Sequence, residues 1–157
     1  YWARVQGTPL AIVRLFYATE LRYGIIHDLA WKVWNGDQID LTMGYVNQIW
    51  QGDANAYLCR FFPLCEYPPA IVNMTGLAVL STRKLAEQLG ELMGREPHFV
   101  NCEAEDALLG DTRRLAQALG PPEIGIGQML EWTAHWIKNV GKSLGKPTKY
   151  ESRSGRF

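Results

Sequence analysis

Apolar residues along the chain follow two periods, one typical of buried strands and one typical of amphipathic helices. Leu10 to Phe16 is apolar except for Arg14, and this unbroken run favours a strand covered on both faces, as in parallel sheets. From Ile25 to Trp34 the apolar residues recur at helical spacing, and Asn35-Gly36 ends the predicted helix. Ala70 to Met74 is a second short apolar strand. Strands and helices therefore alternate along the chain.

The remaining elements follow from alternation, capping residues and glycines. Further strands are predicted at 39–43, 46–50 and 98–100, and further helices at 1–6, 53–62, 81–93, 111–119 and 127–140. Asp53, Ser81 and Asp111 are the predicted N-caps of three of these helices, because their side chains accept hydrogen bonds from free helical N–H groups. This order predicts an α/β fold with few short strands and about five helices. One domain covers residues 1–140, and a loose tail covers residues 141–157.

Arg14 is the charged residue inside the first apolar strand. A guanidinium buried there needs a carboxylate or several carbonyl partners, since an unpaired buried charge is costly. We therefore predict a structural role for Arg14 and Asp53 as an ion pair, with Glu20 as the second choice of partner.

The overall charge of the chain is balanced. Sixteen basic residues match sixteen acidic ones, so no global field attracts nucleic acid or an anionic membrane. The tail departs from this balance, with Lys142, Lys146, Lys149, Arg153 and Arg156 against Glu151 alone. A solvated tail is the favoured interpretation, and a phosphate-binding arm is the alternative.

Cysteine and histidine usage points away from disulfides and metals. The three cysteines form no CxxC pair, and the three histidines form no HExxH motif, so no metal ligands are predicted. No run of about eighteen apolar residues or signal peptide is recognisable. We predict a cytoplasmic protein with reduced thiols and no membrane contact.

Three blocks resemble the C-terminal portion of the NAD-dependent epimerase/dehydratase family, the extended short-chain dehydrogenases/reductases. The run 10–17 is similar to the strand that follows the family's catalytic helix, and Trp50 to Ala56 is similar to its strand end, aspartate and helix start. Val72 to Gly76, with the helix after Ser81, resembles the last core strand and the following helix. The resemblance makes 10–17 and 70–74 the last strands of a parallel, Rossmann-type sheet.

The family's cofactor motif and catalytic pair are not found in this sequence. It contains no GxxGxxG turn for a pyrophosphate and no Tyr-x-x-x-Lys pair for proton transfer. We therefore expect a fragment with no catalytic residues and no cofactor of its own. The resemblance implies a parent oxidoreductase that uses NAD or NADP, with epimerisation, dehydration and simple oxidoreduction as alternatives.

The resemblance also implies a set of site residues. Phe16 and Tyr17, which end the first strand, are expected beside the nicotinamide and the substrate. Many relatives have asparagine in place of Tyr17, and this departure counts against an ordinary sugar-nucleotide substrate. The expected substrate contacts are Arg22 and Tyr23, in the loop after this strand, and Asn47 and Gln48, which precede Asp53.

Two function classes remain open from the sequence. The first is the substrate-binding part of an enzyme acting on a sugar nucleotide or another secondary alcohol. The second is a non-catalytic module that binds a nucleotide or a sugar. In the first case the expected partners are a small-molecule substrate and the missing cofactor half. The bare edge of strand 10–16 is also expected to drive self-association.

Overall fold

The computed structural model describes residues 1–153, and Arg156 of the predicted tail lies outside the described residues. Its helices are α1 (Trp2–Gln6), α2 (Ile25–Asn35), α3 (Gln51–Cys59), α4 (Thr82–Met93), α5 (Arg113–Leu119) and α6 (Ile126–Lys138). Its strands are β1 (Ala11–Leu15), β2 (Tyr17–Thr19), β3 (Gln38–Asp40), β4 (Tyr45–Val46), β5 (Gln48–Trp50), β6 (Ala70–Met74), β7 (Leu80–Ser81) and β8 (His98–Val100). The predicted α/β fold with few short strands is confirmed.

Strand pairing is mainly parallel. β1 pairs with β6 in a five-residue register that runs from Ala11 opposite Ala70 to Leu15 opposite Met74. β2 pairs in parallel with β5, β3 pairs in parallel with β8, and β4 pairs antiparallel with β7. Each sheet within residues 1–153 contains two strands. The predicted pairing of the first apolar strand with 70–74 is confirmed.

Two apolar clusters hold these elements together. The larger cluster lies between α2, α4 and α6, and the smaller one lies between the β1–β6 pair and α3 and α5. α2 supplies five buried side chains to the larger cluster: Ile25, Ile26, Leu29, Ala30 and Val33. Burying one such large aliphatic side chain contributes about 1.5–3 kcal/mol. The helical spacing of these residues in the sequence is therefore what fixes the buried face of α2.

The ends of α4 agree with the sequence. Ser81 precedes the helix, and its Oγ accepts a hydrogen bond from the Lys84 N–H at 3.3 Å. Gly94 follows the helix in the left-handed region at φ 68°. A side chain with a Cβ is strained there, so a glycine at this position favours the helix end.

The prediction for Arg14 is wrong. Its side chain is exposed and forms no ion pair within residues 1–153, while its proposed partner Glu20 is paired with Arg22. Within residues 1–153, helices pack against just one face of the β1–β6 sheet. Val13 and Val72 face those helices, whereas Ile12 and Arg14 lie on the open face. The apolar run correctly predicted a strand, but the prediction that both of its faces are covered fails within residues 1–153.

Asp53 is structural but not an N-cap. α3 begins two residues earlier, at Gln51, so Asp53 lies in its first turn. The carboxylate is buried and accepts a hydrogen bond from the Ile124 N–H at 2.9 Å, which ties α3 to the entrance of α6. The first predicted alternating strand is likewise shorter than expected, at Gln38–Asp40.

Asp111 was predicted as the N-cap of α5, but it lies one residue further from that helix. The residue preceding α5 is Thr112, although the Asp111 carboxylate does accept a hydrogen bond from the Arg113 N–H at 3.0 Å. As predicted, the Asp111 carboxylate therefore accepts a hydrogen bond from an N–H group at the start of α5, but it does so from a position outside the helix.

The prediction of a loose tail is wrong for residues 143–153, which we call the strap. Tyr150 is only 3% exposed and belongs to the larger apolar cluster. Burial and the neighbouring Glu151 carboxylate raise the pKa of Tyr150 far above its ordinary value, so the phenol remains neutral. No helix within residues 1–153 is long and apolar enough to cross a membrane.

Candidate functional site

A cleft of about 570 Å³ lies where β1 and β5 end. Carboxyl ends of parallel strands are a frequent place for ligand sites, because loops diverge there and leave a crevice. The lining side chains within the described residues carry no charge. They are Leu15, Phe16, Tyr17, Ala18, Tyr23, Gly24, Gln51, Leu108 and Thr148.

Phe16 is held in the cleft from two sides. Its backbone N–H donates to the Met74 carbonyl oxygen at 3.0 Å, which extends the β1–β6 ladder by one bond. On the other side Gly110 approaches the Phe16 ring, and a Cβ at Gly110 would lie only 3.0 Å from ring carbons. The ring position therefore depends on a glycine in a distant loop.

Tyr17 and Tyr23 supply phenol groups to the cleft. Burial raises the pKa of Tyr17 above its ordinary value, and the nearby Tyr23 raises it further. A neutral phenol donates and accepts hydrogen bonds, but it does not act as a base near neutral pH. The neutral phenol can bind and orient a ligand through hydrogen bonds.

The loop before α2 is tightly packed against β2. Gly24 has φ 121°, and a Cβ there would lie 2.4 Å from Thr19 Oγ1. The Thr19 hydroxyl donates to Gln48 Oε1 at 2.5 Å. Gln48 is thus buried behind the cleft, and its Nε2 has no hydrogen-bond partner within residues 1–153.

Asn47 and Arg22 are engaged elsewhere. Asn47 Nδ2 donates to the Gly110 carbonyl oxygen at 2.9 Å, and Asn47 Oδ1 accepts from the Gly110 N–H at 3.2 Å. Arg22 pairs with Glu20 and borders a separate cavity beside Trp136. Of the six predicted contact residues, Phe16, Tyr17 and Tyr23 line the cleft, whereas Arg22, Asn47 and Gln48 do not.

Six lining residues were not predicted, and three of them, Leu15, Ala18 and Gly24, directly adjoin predicted residues in the chain. Gln51 begins α3 two residues before the predicted Asp53, so its position next to the end of a strand was a usable signal. Leu108 and Thr148 come from irregular segments far along the chain. No periodicity marks such positions, because the contacts depend on how the segments fold back. Within residues 1–153, no group of three or more His, Cys, Asp or Glu is placed to hold a metal ion.

Comparison with solved structures identifies the fold. The UDP-glucose 4-epimerase of Thermotoga maritima, solved with UDP-glucose, superposes with a TM-score of 0.68 and 14% identity over 88% of this chain and 49% of its own. The UDP-glucuronic acid 4-epimerase of Bacillus cereus, solved with NAD, gives 0.69 and 15% over 90% of this chain and 48% of its own. RMD from Pseudomonas aeruginosa, complexed with NADPH, gives 0.67 and 21% over 88% and 52%.

These matches confirm the predicted fold, the C-terminal part of an extended short-chain dehydrogenase. This chain spans about half the length of the solved structures it matches. No protein-family model matches the sequence, and no curated protein matches it significantly. The likeness therefore lies in the fold, at sequence identities too low to transfer an activity.

Proposed function

We propose that this chain is the substrate-binding part of an NAD(P)-dependent epimerase/dehydratase-like oxidoreductase that acts on a sugar nucleotide or another secondary alcohol. The observation that carries the proposal is the position of the cleft. It opens at the carboxyl end of β1, next to the edge and face of the β1–β6 pair that residues 1–153 leave uncovered. A ligand in the cleft would therefore lie between this chain and whatever packs on that face.

The open face is apolar enough to require a partner. Three large aliphatic side chains on this face are about half exposed: Leu10, Ile12 and Ile71. Parallel sheets are normally covered on both faces, and exposed apolar patches of this kind mark interaction surfaces. The partner we propose is the cofactor-binding half that would complete the fold.

The cleft suits the binding steps of hydride transfer. When bound, a nicotinamide would accept or return the hydride. Phe16 and Tyr17 would provide an apolar surface that excludes water beside it. The Tyr17 and Tyr23 phenols would orient substrate hydroxyls. Proton transfer at the reacting oxygen is assigned to the other half, because no Tyr-x-x-x-Lys pair occurs in this chain.

The test is to express the protein from its complete reading frame and to follow NADH or NADPH formation with UDP-glucose and simpler secondary alcohols. Phe16→Ala should raise KM for the cofactor, since the substitution removes an apolar wall, while Tyr45→Phe, outside the cleft, serves as the control. Turnover that is insensitive to Phe16→Ala would remove the cleft from the proposal. Nucleotide or sugar binding without any NAD(P)-dependent turnover would favour the non-catalytic module instead.

A further inference from the structure

The walls of the cleft are mainly apolar. Leu15 and Leu108 are 54% and 51% exposed, and Phe16, Tyr17 and Ala18 are partly exposed in the same cleft. Apolar area left in water is unfavourable, so a ligand with an apolar body gains affinity by covering it. Aromatic side chains also contact other rings favourably, in stacked or edge-to-face arrangements. The residue types of the walls thus favour a ligand with an apolar, ring-bearing body.

The polar groups of the cleft are few and carry no formal charge. Tyr17, Tyr23 and Gln51 line it and have side chains that both donate and accept hydrogen bonds. The hydroxyl of Thr148 already donates to Asp28 Oδ2. The phenols and the amide would serve a hydroxyl, a carbonyl or a phosphate oxygen alike. The ligand's charge therefore depends on the charged groups and helix ends around the cleft.

Basic residues near the cleft in sequence border other cavities. Arg22, next to Tyr23 in the chain, pairs with Glu20 and borders the cavity beside Trp136. Lys146 and Lys149, on either side of Thr148 in the strap, border a second cavity, which they share with Lys32 and three carboxylates: Asp28, Asp37 and Glu151. Within residues 1–153 the cleft itself is lined by no charged side chain. A diphosphate placed against its apolar walls would lose hydration without gaining a counter-charge, which is costly.

Two helices begin at the cleft, and helix N-termini are places where anions bind in other proteins. α2 begins directly after Gly24, but Ile25 and Ile26 are 0% exposed, so their N–H groups are closed to a ligand. α3 begins at Gln51, and its first turn contains the buried carboxylate of Asp53. This carboxylate already interacts with the positive end of the helix dipole and would repel a second anion there. Neither helix start therefore compensates for the missing cation.

We infer that the substrate bound in the cleft is an uncharged secondary alcohol, or the corresponding ketone, on an apolar ring-bearing body, and not a sugar nucleotide. The apolar walls cover the rings, and the phenols of Tyr17 and Tyr23 bind the alcohol or ketone oxygen. The inference rests on the function proposed above and chooses between its two classes of substrate.

The experiment uses the protein from its complete reading frame and α-tetralol, an uncharged secondary alcohol on fused apolar rings, as the probe. Saturation-transfer NMR should detect α-tetralol binding, and UDP-glucose should displace it only at concentrations more than about tenfold higher. Leu108→Arg places a cation in the cleft wall. It should weaken α-tetralol binding roughly three- to tenfold and make UDP-glucose a better competitor.

Two variants control for the added charge and the altered side chain. Leu108→Met keeps the wall apolar and should bind α-tetralol as the wild type does. Leu92→Arg adds the same charge at a leucine of α4 that is 40% exposed and does not line the cleft, and it should change neither ligand's binding.

Three results would overturn the inference: no α-tetralol binding by the wild type, displacement by UDP-glucose at equal concentration, or unchanged binding of both ligands in a folded Leu108→Arg variant. Each is separable from a failure of the proposed function. Turnover of UDP-glucose without α-tetralol binding would leave the oxidoreductase standing and remove this substrate class. Binding of α-tetralol that depends on Leu108, in a protein without NAD(P)-dependent turnover, would retain the apolar ligand and contradict the proposed function.

Discussion

Ile12 lies opposite Ile71 in the parallel register of β1 and β6, and the two side chains are 45% and 47% exposed on the same open face. Two neighbouring isoleucines in water are unfavourable, at roughly 25 cal/mol for each Å² of apolar area left uncovered. The unpaired edge of β1 within the described residues offers backbone groups beside them.

We predict that the isolated 157-residue chain self-associates through this face. Ile12→Asp and Ile71→Asp should each shift it towards the monomer, because a carboxylate resists burial in an apolar interface. Light scattering over a concentration series measures the change. Val140→Asp is the matched control, since Val140 is 91% exposed and lies far along the chain, after α6. A wild-type chain that stays monomeric at every concentration would contradict the prediction.

Arg14→Leu should leave the stability nearly unchanged. The side chain is exposed and has no ion pair within residues 1–153, and surface changes of this kind usually lie within about 0.5 kcal/mol. Val72→Ala, on the buried face of β6, is the comparison and should cost about 2 kcal/mol through lost methyl burial. Urea unfolding measures both variants. A large loss for Arg14→Leu would mean that a buried partner exists after all.

Gly76→Ala should be strongly destabilising. A Cβ at Gly76 would lie 2.1 Å from the Gln48 carbonyl oxygen. Gln48 belongs to β5, and moving its backbone aside would disturb the pairing of that strand. Gly127→Ala is the control, because space is open at that position in the first turn of α6. It should be neutral or stabilise by about 0.4–1 kcal/mol. Equal melting temperatures for the two variants would refute the close approach.

Asp111 should titrate well below an ordinary aspartate. Hydrogen bonds from the Arg113 side chain and backbone lower the pKa of Asp111 to about 2. Because the folded pKa is depressed, the stability contribution is fully present above the ordinary value of about 4. It is lost as the pH falls through about 2. The pair is exposed, so the effect is small and weakened by salt.

NMR titration of the Asp111 carboxyl group tests this directly. Arg113→Gln should return the pKa of Asp111 towards its ordinary value, whereas Arg114→Gln, which removes the neighbouring guanidinium that pairs with Glu66, should not. A wild-type titration near the ordinary value would show that the pair does not persist in solution.

The sequence by itself located the α-helices and the strands β1, β6 and β8, but not the short strands β2 and β7. The apolar run 10–16, the helical stripe of α2 and the capping residue Ser81 all occur where local periodicity predicted them. Half of the site residues that the family resemblance implied, namely Phe16, Tyr17 and Tyr23, line the cleft. These features depend on residues close together in the chain, so the sequence alone shows their spacing.

Only the tertiary structure decided what each face and loop meets. Arg14 is exposed because, in the part of the chain that the structure describes, helices cover just one face of β1, whereas the unbroken apolar run had predicted cover on both faces. Asn47 holds Gly110 instead of a ligand, and Thr148 reaches the cleft because Tyr150 and Asp28 draw the strap across α2. Such contacts join residues more than sixty positions apart. They arise from packing and hydrogen-bond satisfaction over the whole fold, and no local period encodes them.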